Sequence, residues 1–255
     1  MSKPTLSIIV PVVDQAGLTV RCFHAIREHT TLPFELIWVD NGSCKSDFEV
    51  ISRQASIEGT NCRVIVNKEN MGFIKAINQG IREAKGDYVV LLNNDTEVTS
   101  NWDVQLIKPL MHFPDVGAVG PVTFQSAWQT PSGIKANLKI TIPKEGSSIQ
   151  QYLQQIRVNK DVYIDVTHMM LSFFCVAMRR SLFDAIGVLC EELSVGLGDD
   201  DEFCMRMRKH GYRMLLSLGT FIHHVHRATF NSLKLGEESL RRHNLRIIRK
   251  KYGRI

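Results

Sequence analysis

Asp87-Tyr88-Val89-Val90-Leu91-Leu92-Asn93-Asn94-Asp95-Thr96 is a short apolar run that stops abruptly at two amides and a carboxylate. Its centre has no polar alternation, so it reads as a strand buried on both faces. Three earlier runs have the same character: residues 6–12, broken near their end by Pro11; residues 34–39, ending at Asp40-Asn41-Gly42-Ser43; and residues 62–66, followed by Asn67 to Asn70. Between them lie stretches with helical spacing: residues 18–29 with Val20, Phe23 and Ile26, a stretch near 47–58, and residues 73–85 with Ile74, Ile77 and Ile81. Strand and helix alternate four times within the first hundred residues, which predicts an α/β fold with a parallel sheet and helices on both faces. Such sheets bind ligands beyond the carboxyl ends of their strands. Asp14, Asp40, Asn67 to Asn70 and Asp95 stand at four such ends, so the pattern aims them at one crevice.

The second half is less regular. Residues 125–165 are polar and contain Pro131, Gly133, Pro143 and Gly146, so loops are expected, with a helix over 148–158. Residues 166–178 read as another apolar strand-like run. Residues 181–187 read as a short helix, 199–210 as a longer one, and 215–225 as containing a strand. There is no internal repeat and no low-complexity tract.

The chain has 255 residues, 44% of them hydrophobic and 22% charged, which excludes wholesale disorder. No apolar run approaches the roughly 20 residues that cross a bilayer. The first residues lack a signal-peptide core, so a cytoplasmic location is expected. Six cysteines form no C-x-x-C pair and read as small buried hydrophobes rather than zinc or redox ligands. The net charge is +5, yet the last sixteen residues carry seven Lys and Arg and no acid, so the body is mildly acidic and the tail basic.

Four constellations have the composition of chemistry. Asn93-Asn94-Asp95 places one carboxylate and two amides at a strand end, oxygen donors suited to a hard divalent cation beside phosphate. An asparagine-rich turn is the plainer explanation of those three residues taken alone. Gly198-Asp199-Asp200-Asp201-Glu202 puts four acids at a helix start, where the dipole favours negative charge. Crowding raises carboxylate pKa values towards the range of a general base. His223, His224 and His226 fall within four residues, and strand alternation puts His224 and His226 on one face and His223 on the other. Asn70-Met71-Gly72-Phe73 joins a strand to a helix whose first turn carries Lys75, a place where anions sit well.

Together these pieces resemble the inverting family 2 glycosyltransferases of the GT-A fold. The matching stretches are Ser7-Ile8-Ile9-Val10-Pro11-Val12, Trp38-Val39-Asp40-Asn41-Gly42-Ser43, Asn70-Met71-Gly72-Phe73 with Asn78, and Leu91 to Thr96 with Trp102. Arg180-Ser181-Leu182-Phe183 with Gly187, the acidic run before Cys204-Met205-Arg206, and Gly211-Tyr212 complete them. The resemblance implies one domain over residues 1–235, with a nucleotide-binding half (1–100) and an acceptor-binding half (101–235), followed by a basic helix or tail (236–255). It implies that Pro11, Val12 and Asp14 line the pocket of a sugar-nucleotide donor, UDP-linked most often, and that Asp40 bonds the base with Ser43 close by. Asn70, Gly72 and Lys75 would border the nucleotide and its diphosphate. Asn93 and Asn94 lead to Asp95, the metal ligand for Mn2+ or Mg2+. Asp200 would be the general base, and His224 would complete the metal site, with His223 and His226 as alternatives.

Three departures stand out. Asn93 replaces the first acid of the usual D-x-D. Val13-Asp14 stands where Tyr-Asn is usual. Phe173-Phe174 occupies a segment where glycine is expected beside the sugar or acceptor. The implied reaction is metal-dependent inverting transfer to a hydroxyl of a saccharide, lipid-linked or protein acceptor, as in polysaccharide biosynthesis. Two other readings compete: a nucleotidyltransferase, against which Val13 to Gly17 lacks the basic glycine-rich loop, and a non-catalytic nucleotide- or carbohydrate-binding module. The basic tail is read as a solvated helix, as a surface for anionic lipid at the inner membrane face, or as a polyanion contact.

Overall fold

The chain's structure, a computed structural model, describes residues 5–58, 61–123, 161–193, 196–225 and 237–253. β1 (Leu6–Val12) is buried along its whole length and lies between β2 (Phe34–Asn41) and β4 (Tyr88–Leu92), pairing parallel with both. β3 (Cys62–Asn67) pairs parallel with β2 on the outer side. α1 (Ala16–His29), α2 (Lys45–Glu58) and α3 (Phe73–Glu83) make the crossovers. The chain thus winds one way from β1 to β3 and then returns to β4, which creates a switch point between β1 and β4 where a crevice opens.

Strand alternation divides the core cleanly. Ile9, Ile37, Val39, Val89 and Leu91 face α3, whereas Ile8, Val10, Trp38, Val90 and Leu92 face α1, α2 and a later helix, α4 (Trp102–His112). Trp38 is closed in by Phe23 of α1 at 6.2 Å and Phe48 of α2 at 5.7 Å between ring centroids. Residues 73–83 form a helix because one apolar stripe, Ile74, Ile77 and Ile81, meets this sheet face.

The second half extends the same sheet. β5 (Thr96–Glu97), α4 and β6 (Val116–Val122) follow β4, and β7 (Tyr163–Asp165) and β8 (Cys175–Arg179) come after. α5 (Arg180–Ile186), α6 (Asp199–Lys209), β9 (Arg213–Phe221), β10 (His223–His224) and α7 (Glu237–Tyr252) complete the chain. The eight strands run in the order β3-β2-β1-β4-β8-β6-β9-β7, with β5 and β10 as a separate pair. β8 is antiparallel to β4 and β6, and β7 is antiparallel to β9; the other neighbours are parallel. The sheet is therefore mostly parallel and flanked by helices, as the strand–helix alternation predicts.

Some expectations change. Residues 166–178 are not one strand: only Cys175–Arg179 pairs, while the preceding residues carry the chain from the sheet edge at β7 back to its centre. Their apolar character has another cause, since Val166, Leu171, Phe173 and Phe174 are buried as turn residues. The sequence reading assigns nothing between β5 and residue 124, where α4 and β6 lie. Pro109 inside the helix, and Gly117, Gly120 and Pro121 in the strand, blur both patterns. The helix expected over 148–158 lies outside the described residues. Among the described cysteines, Cys22, Cys175 and Cys204 are buried, whereas Cys44 is exposed. Burial pushes the Cys22 thiol up to about 12, so it packs rather than reacts.

Candidate active site

The carboxyl ends of β1, β2 and β3 are tied together by short polar side chains. Asp14 has φ 52, a left-handed conformation that aspartate tolerates. Its backbone N–H donates to Ser43 Oγ at 2.9 Å, and its Oδ1 accepts from the Cys44 N–H at 2.7 Å. Asp47 Oδ2 accepts from the Ala16 N–H at 3.1 Å and so closes the start of α1. Asp14, Cys44 and Asp47 bring their ligand atoms within 4.8 Å of one another, yet both carboxylates are engaged in tying these loops.

Asp40 ends β2, is 2% exposed, and has an Oδ1 with no hydrogen-bond partner. Burial raises its pKa, against hydrogen bonds from Ser43 and Gly42 that lower it. A buried unpaired acceptor is costly, and a donor group from a ligand would relieve that cost. Beside it, Asn41 holds the β3–α3 loop. Its Nδ2 donates to Asn70 Oδ1 at 2.9 Å, and its Oδ1 accepts from the N–H of Met71 and from Asn67 Nδ2, each at 3.0 Å. The loop crosses Gly42 so closely that a Cβ there would fall 2.6 Å from the Glu69 carbonyl carbon, and Gly42 has φ +84. Asn70 thus shapes this wall by also accepting from the Gly72 N–H at 2.9 Å. Lys75 is exposed on the first turn of α3. Pro11 and Val12 are buried, and Val12 packs in the core.

The end of β4 is ordered from both sides of the sheet. The Asn93 N–H donates to the Phe174 carbonyl at 2.8 Å, and its own carbonyl accepts from Thr96 Oγ1 at 2.6 Å. Asn94 turns inward and donates to Thr19 Oγ1 of α1 at 2.9 Å. β10 pairs with β5, setting His224 opposite Thr96 and His223 opposite Glu97. The Val225 N–H donates to the Asp95 carbonyl at 3.0 Å. As a result His224 Nε2 lies 3.3 Å from Asp95 Oδ1, with both side chains buried. The Phe174 ring stacks on the imidazole at 4.8 Å and 9°, which fixes its plane. His223, half-buried, falls on the opposite side, as alternation predicts; His226 lies outside the described residues.

The donor set at this point fits a hard or borderline divalent cation. A carboxylate oxygen and an imidazole nitrogen converge, and the buried Asn93 Oδ1 has no hydrogen-bond partner. As ligands these two side chains would leave coordination positions for water and phosphate oxygens, as an open rather than a structural site does.

The acids of the second half are sorted by their surroundings. α6 leads through Gly211 into the start of β9, at the edge opposite the carboxyl ends of β4, β6 and β9, so its acidic first turn lies at the carboxyl edge. The segment before β8 links it to the β4 end. Phe173 packs on Phe203 of α6 at 5.9 Å, while its neighbour Phe174 holds His224. The two phenylalanines at the position expected to hold glycine thus brace both halves of the site, each 3% exposed.

Glu202 is a structural acid: Arg206 meets its Oε2 at 2.6 Å, and Tyr252 donates to its Oε1 at 2.6 Å. Burial, followed by charge repulsion from Asp199 and Asp201, raises the pKa of Asp200 well above the ordinary carboxylate value. Asp199 and Asp201 are raised as well, with burial the first cause in each and Arg241 opposing it at Asp201. Raised pKa values in a cluster of carboxylates suit a proton acceptor.

The sequence marks Asn78 only as part of the resemblance and gives it no partner. Asn78 of α3 exchanges hydrogen bonds with the Leu189 backbone, 2.9 Å to its carbonyl and 3.0 Å from its N–H, and donates to Glu191 at 2.9 Å. α7 is the basic helix or tail of the sequence analysis, and it is not solvated all round. Ile248 is buried in the core, with Ile247 and Tyr252 packed beside it. Ile247 and Ile248, apolar residues on which the membrane-docking reading drew, thus face the core and not lipid. Among the described residues no helix is long and apolar enough to cross a membrane.

Comparison with known proteins agrees with this architecture. Residues 7–187 match the family model of Glycosyl transferase family 2. A hyaluronan synthase of Pasteurella multocida is 26% identical over 229 residues, covering 81% of this chain and 23% of that protein. The first curated relatives are all longer: the chain spans between 17% and 33% of their lengths. Two solved structures share the fold. GalNAc-T7 with UDP, GalNAc and Mn2+ superposes with a TM-score of 0.68 at 17% identity, covering 87% of this chain and 43% of the other. The mannosyltransferase PcManGT of Pyrobaculum calidifontis, in complex with GDP-Man and Mn2+, gives 0.64 at 18%, covering 92% and 61%. With a family match over most of its length and the GT-A sheet and strand ends that go with it, the chain belongs to glycosyltransferase family 2.

Proposed function

We propose that the chain transfers a sugar from a nucleotide diphosphate donor to an acceptor hydroxyl, inverting the anomeric carbon. The observation that supports this reading is the Asp95–His224 pair at the end of β4, beside β1 and β2, whose end carries Asp40 with its unpaired oxygen. The first half binds the donor. Asp40 Oδ1 accepts an N–H of the base, with Asp14 and Ser43 closing that side. Asn70, Gly72 and Lys75 border the diphosphate, and Pro11 and Val12 form the floor. Asp95 and His224, with Asn93 beside them, would hold Mn2+ or Mg2+, which when bound neutralises diphosphate charge.

The second half presents the acceptor to Asp200. That carboxylate takes the hydroxyl proton as the acceptor oxygen bonds the anomeric carbon. The bond from that carbon to the phosphate oxygen breaks, and its electron pair leaves with the diphosphate. One displacement gives inversion. A UDP-linked donor is the reading we favour; the fold neighbours carry both UDP and GDP-Man. A saccharide, lipid-linked or protein acceptor meets the chemical requirement, and the hyaluronan synthase relative favours the first.

A panel of UDP- and GDP-sugars incubated with Mn2+ tests the proposal. One donor should release its nucleoside diphosphate by slow hydrolysis and faster with a suitable acceptor, and the product should carry the opposite anomeric configuration. Release of pyrophosphate, or a product of retained configuration, would overturn it.

A further inference from the structure

We propose that Asn244 of α7 is a positioning residue that locks the left-handed turn before α6 and thereby aims the acidic first turn at the acceptor. The inference rests on the reading of Asp200 as the base.

Residues 196–198 have three positive φ angles in succession: Gly196 at 113°, Leu197 at 69° and Gly198 at 101°. Glycine adopts such angles freely, but leucine does not. A strained residue of this kind persists only where its surroundings over-determine it. Here one amide bonds two successive carbonyls of the turn. Asn244, fully buried, donates from Nδ2 to the Gly196 carbonyl at 2.8 Å and to the Leu197 carbonyl at 2.9 Å.

The same helix grips the region at three further points. Ile248 Cδ1 lies 3.2 Å from where a Gly198 Cβ would stand, so the helix closes directly over the turn. Tyr252 holds Glu202, which through Arg206 fixes the Ile186 and Val188 carbonyls at 2.8 and 2.9 Å. Lys251 reaches Glu192 at 2.8 Å. α7 therefore fastens both the turn that precedes the acids and the acid that ends the run. Asp199 to Asp201 are left between two fixed points. Three crowded, largely buried carboxylates would otherwise relax outward, away from one another and into water.

The test uses the full chain, UDP with Mn2+ as the donor-site probe, and nucleoside diphosphate release from the donor identified in the panel. Asn244→Ala should lower kcat at least tenfold while leaving the donor KM and the calorimetric affinity for UDP–Mn2+ within twofold. Amide hydrogen exchange should accelerate over residues 196–202. Leu197→Asn, which tolerates the left-handed angle without the leucine's strain, should leave the wild type nearly unchanged. In the Asn244→Ala background it should recover at least a third of the lost turnover. Unchanged kcat in Asn244→Ala, or an equal loss in both backgrounds, overturns the proposal. If Asn244→Ala does not fold, Asn244→Asp, which removes the donor while keeping the size, is read in the same way. The base assignment fails separately: a fully active Asp200→Asn would remove it, whereas the exchange and coupling results would still judge the lock.

Discussion

The two walls of the proposed site, one assigned to the donor and one to the acceptor, are built by different means. Around β1, β2 and β3 the geometry is made by backbone and by neighbours in sequence. A parallel register sets the strand ends level, a glycine lets one loop cross another, and short Asn and Asp side chains bond the nearest N–H groups. Around α6 nothing local would suffice. The region of the acids is braced by Asn78 of α3, Phe173 of the segment before β8, and Asn244 and Tyr252 of α7, three separate parts of the chain. A wall made locally transmits damage to its own ligand. A wall made by distant supports loses its aim while the rest of the fold stands.

The largest test of this contrast is Asp200→Asn. Removing a general base should cut transfer by about 10²–10⁴-fold, with UDP–Mn2+ affinity retained in calorimetry. Lost nucleotide binding alongside intact turnover would assign the residue to the wrong wall. Phe174→Ala sits at the join between the walls. It should lower stability by about 3–5 kcal/mol in denaturant titration, as for other buried rings, and weaken Mn2+-dependent UDP binding, because His224 loses the ring that fixes it. Gly42→Ala acts on the donor wall alone. The added Cβ should cost about 2–3 kcal/mol through strain and overlap and raise the donor KM without altering the acceptor KM. Equal effects on both constants would show that the walls are not separable.

The smallest effect is on pH dependence, and its sign follows from the acidic cluster. Asp199, Asp200 and Asp201 have folded-state pKa values above their ordinary ones. The folded chain therefore holds protons that the unfolded chain has released. The cluster's contribution to stability is fully present below about 4 and is lost as pH rises through the raised values, about 6 for Asp199. Asp199→Asn should flatten this decline and raise Tm at pH 7 by a few degrees, on the scale of about 2–4 °C per kcal/mol for a chain of this size. A Tm that fell at pH 7, or a slope against pH left unchanged, would show that the cluster is not strained by its own charge.

Asp40, Asp95 and the acidic run were visible in the sequence because each stands where a recognisable element begins or ends. The partner of Asp95 was less visible. Three histidines competed, and strand alternation placed His223 apart from the other two, leaving His224 and His226. The pairing of β10 with β5 set His224 against the carboxylate. The acidic run was legible as a group and not as individuals. Glu202 looks like its neighbours in sequence, and only Arg206 and Tyr252 make it structural. The basic tail misled because its charge outweighed its few apolar residues in any compositional reading, and the buried Ile248 faces a core contributed by distant strands and helices.

By itself the sequence determined the strand–helix alternation, the parallel core and the polar residues at the strand ends, because periodicity and turn chemistry act over a few residues. Only the tertiary structure decided which imidazole meets Asp95, which acid of the run is tied up by Arg206 and Tyr252, and what holds the turn before them. Those choices depend on contacts between segments tens to more than a hundred residues apart, and no local pattern encodes such distances.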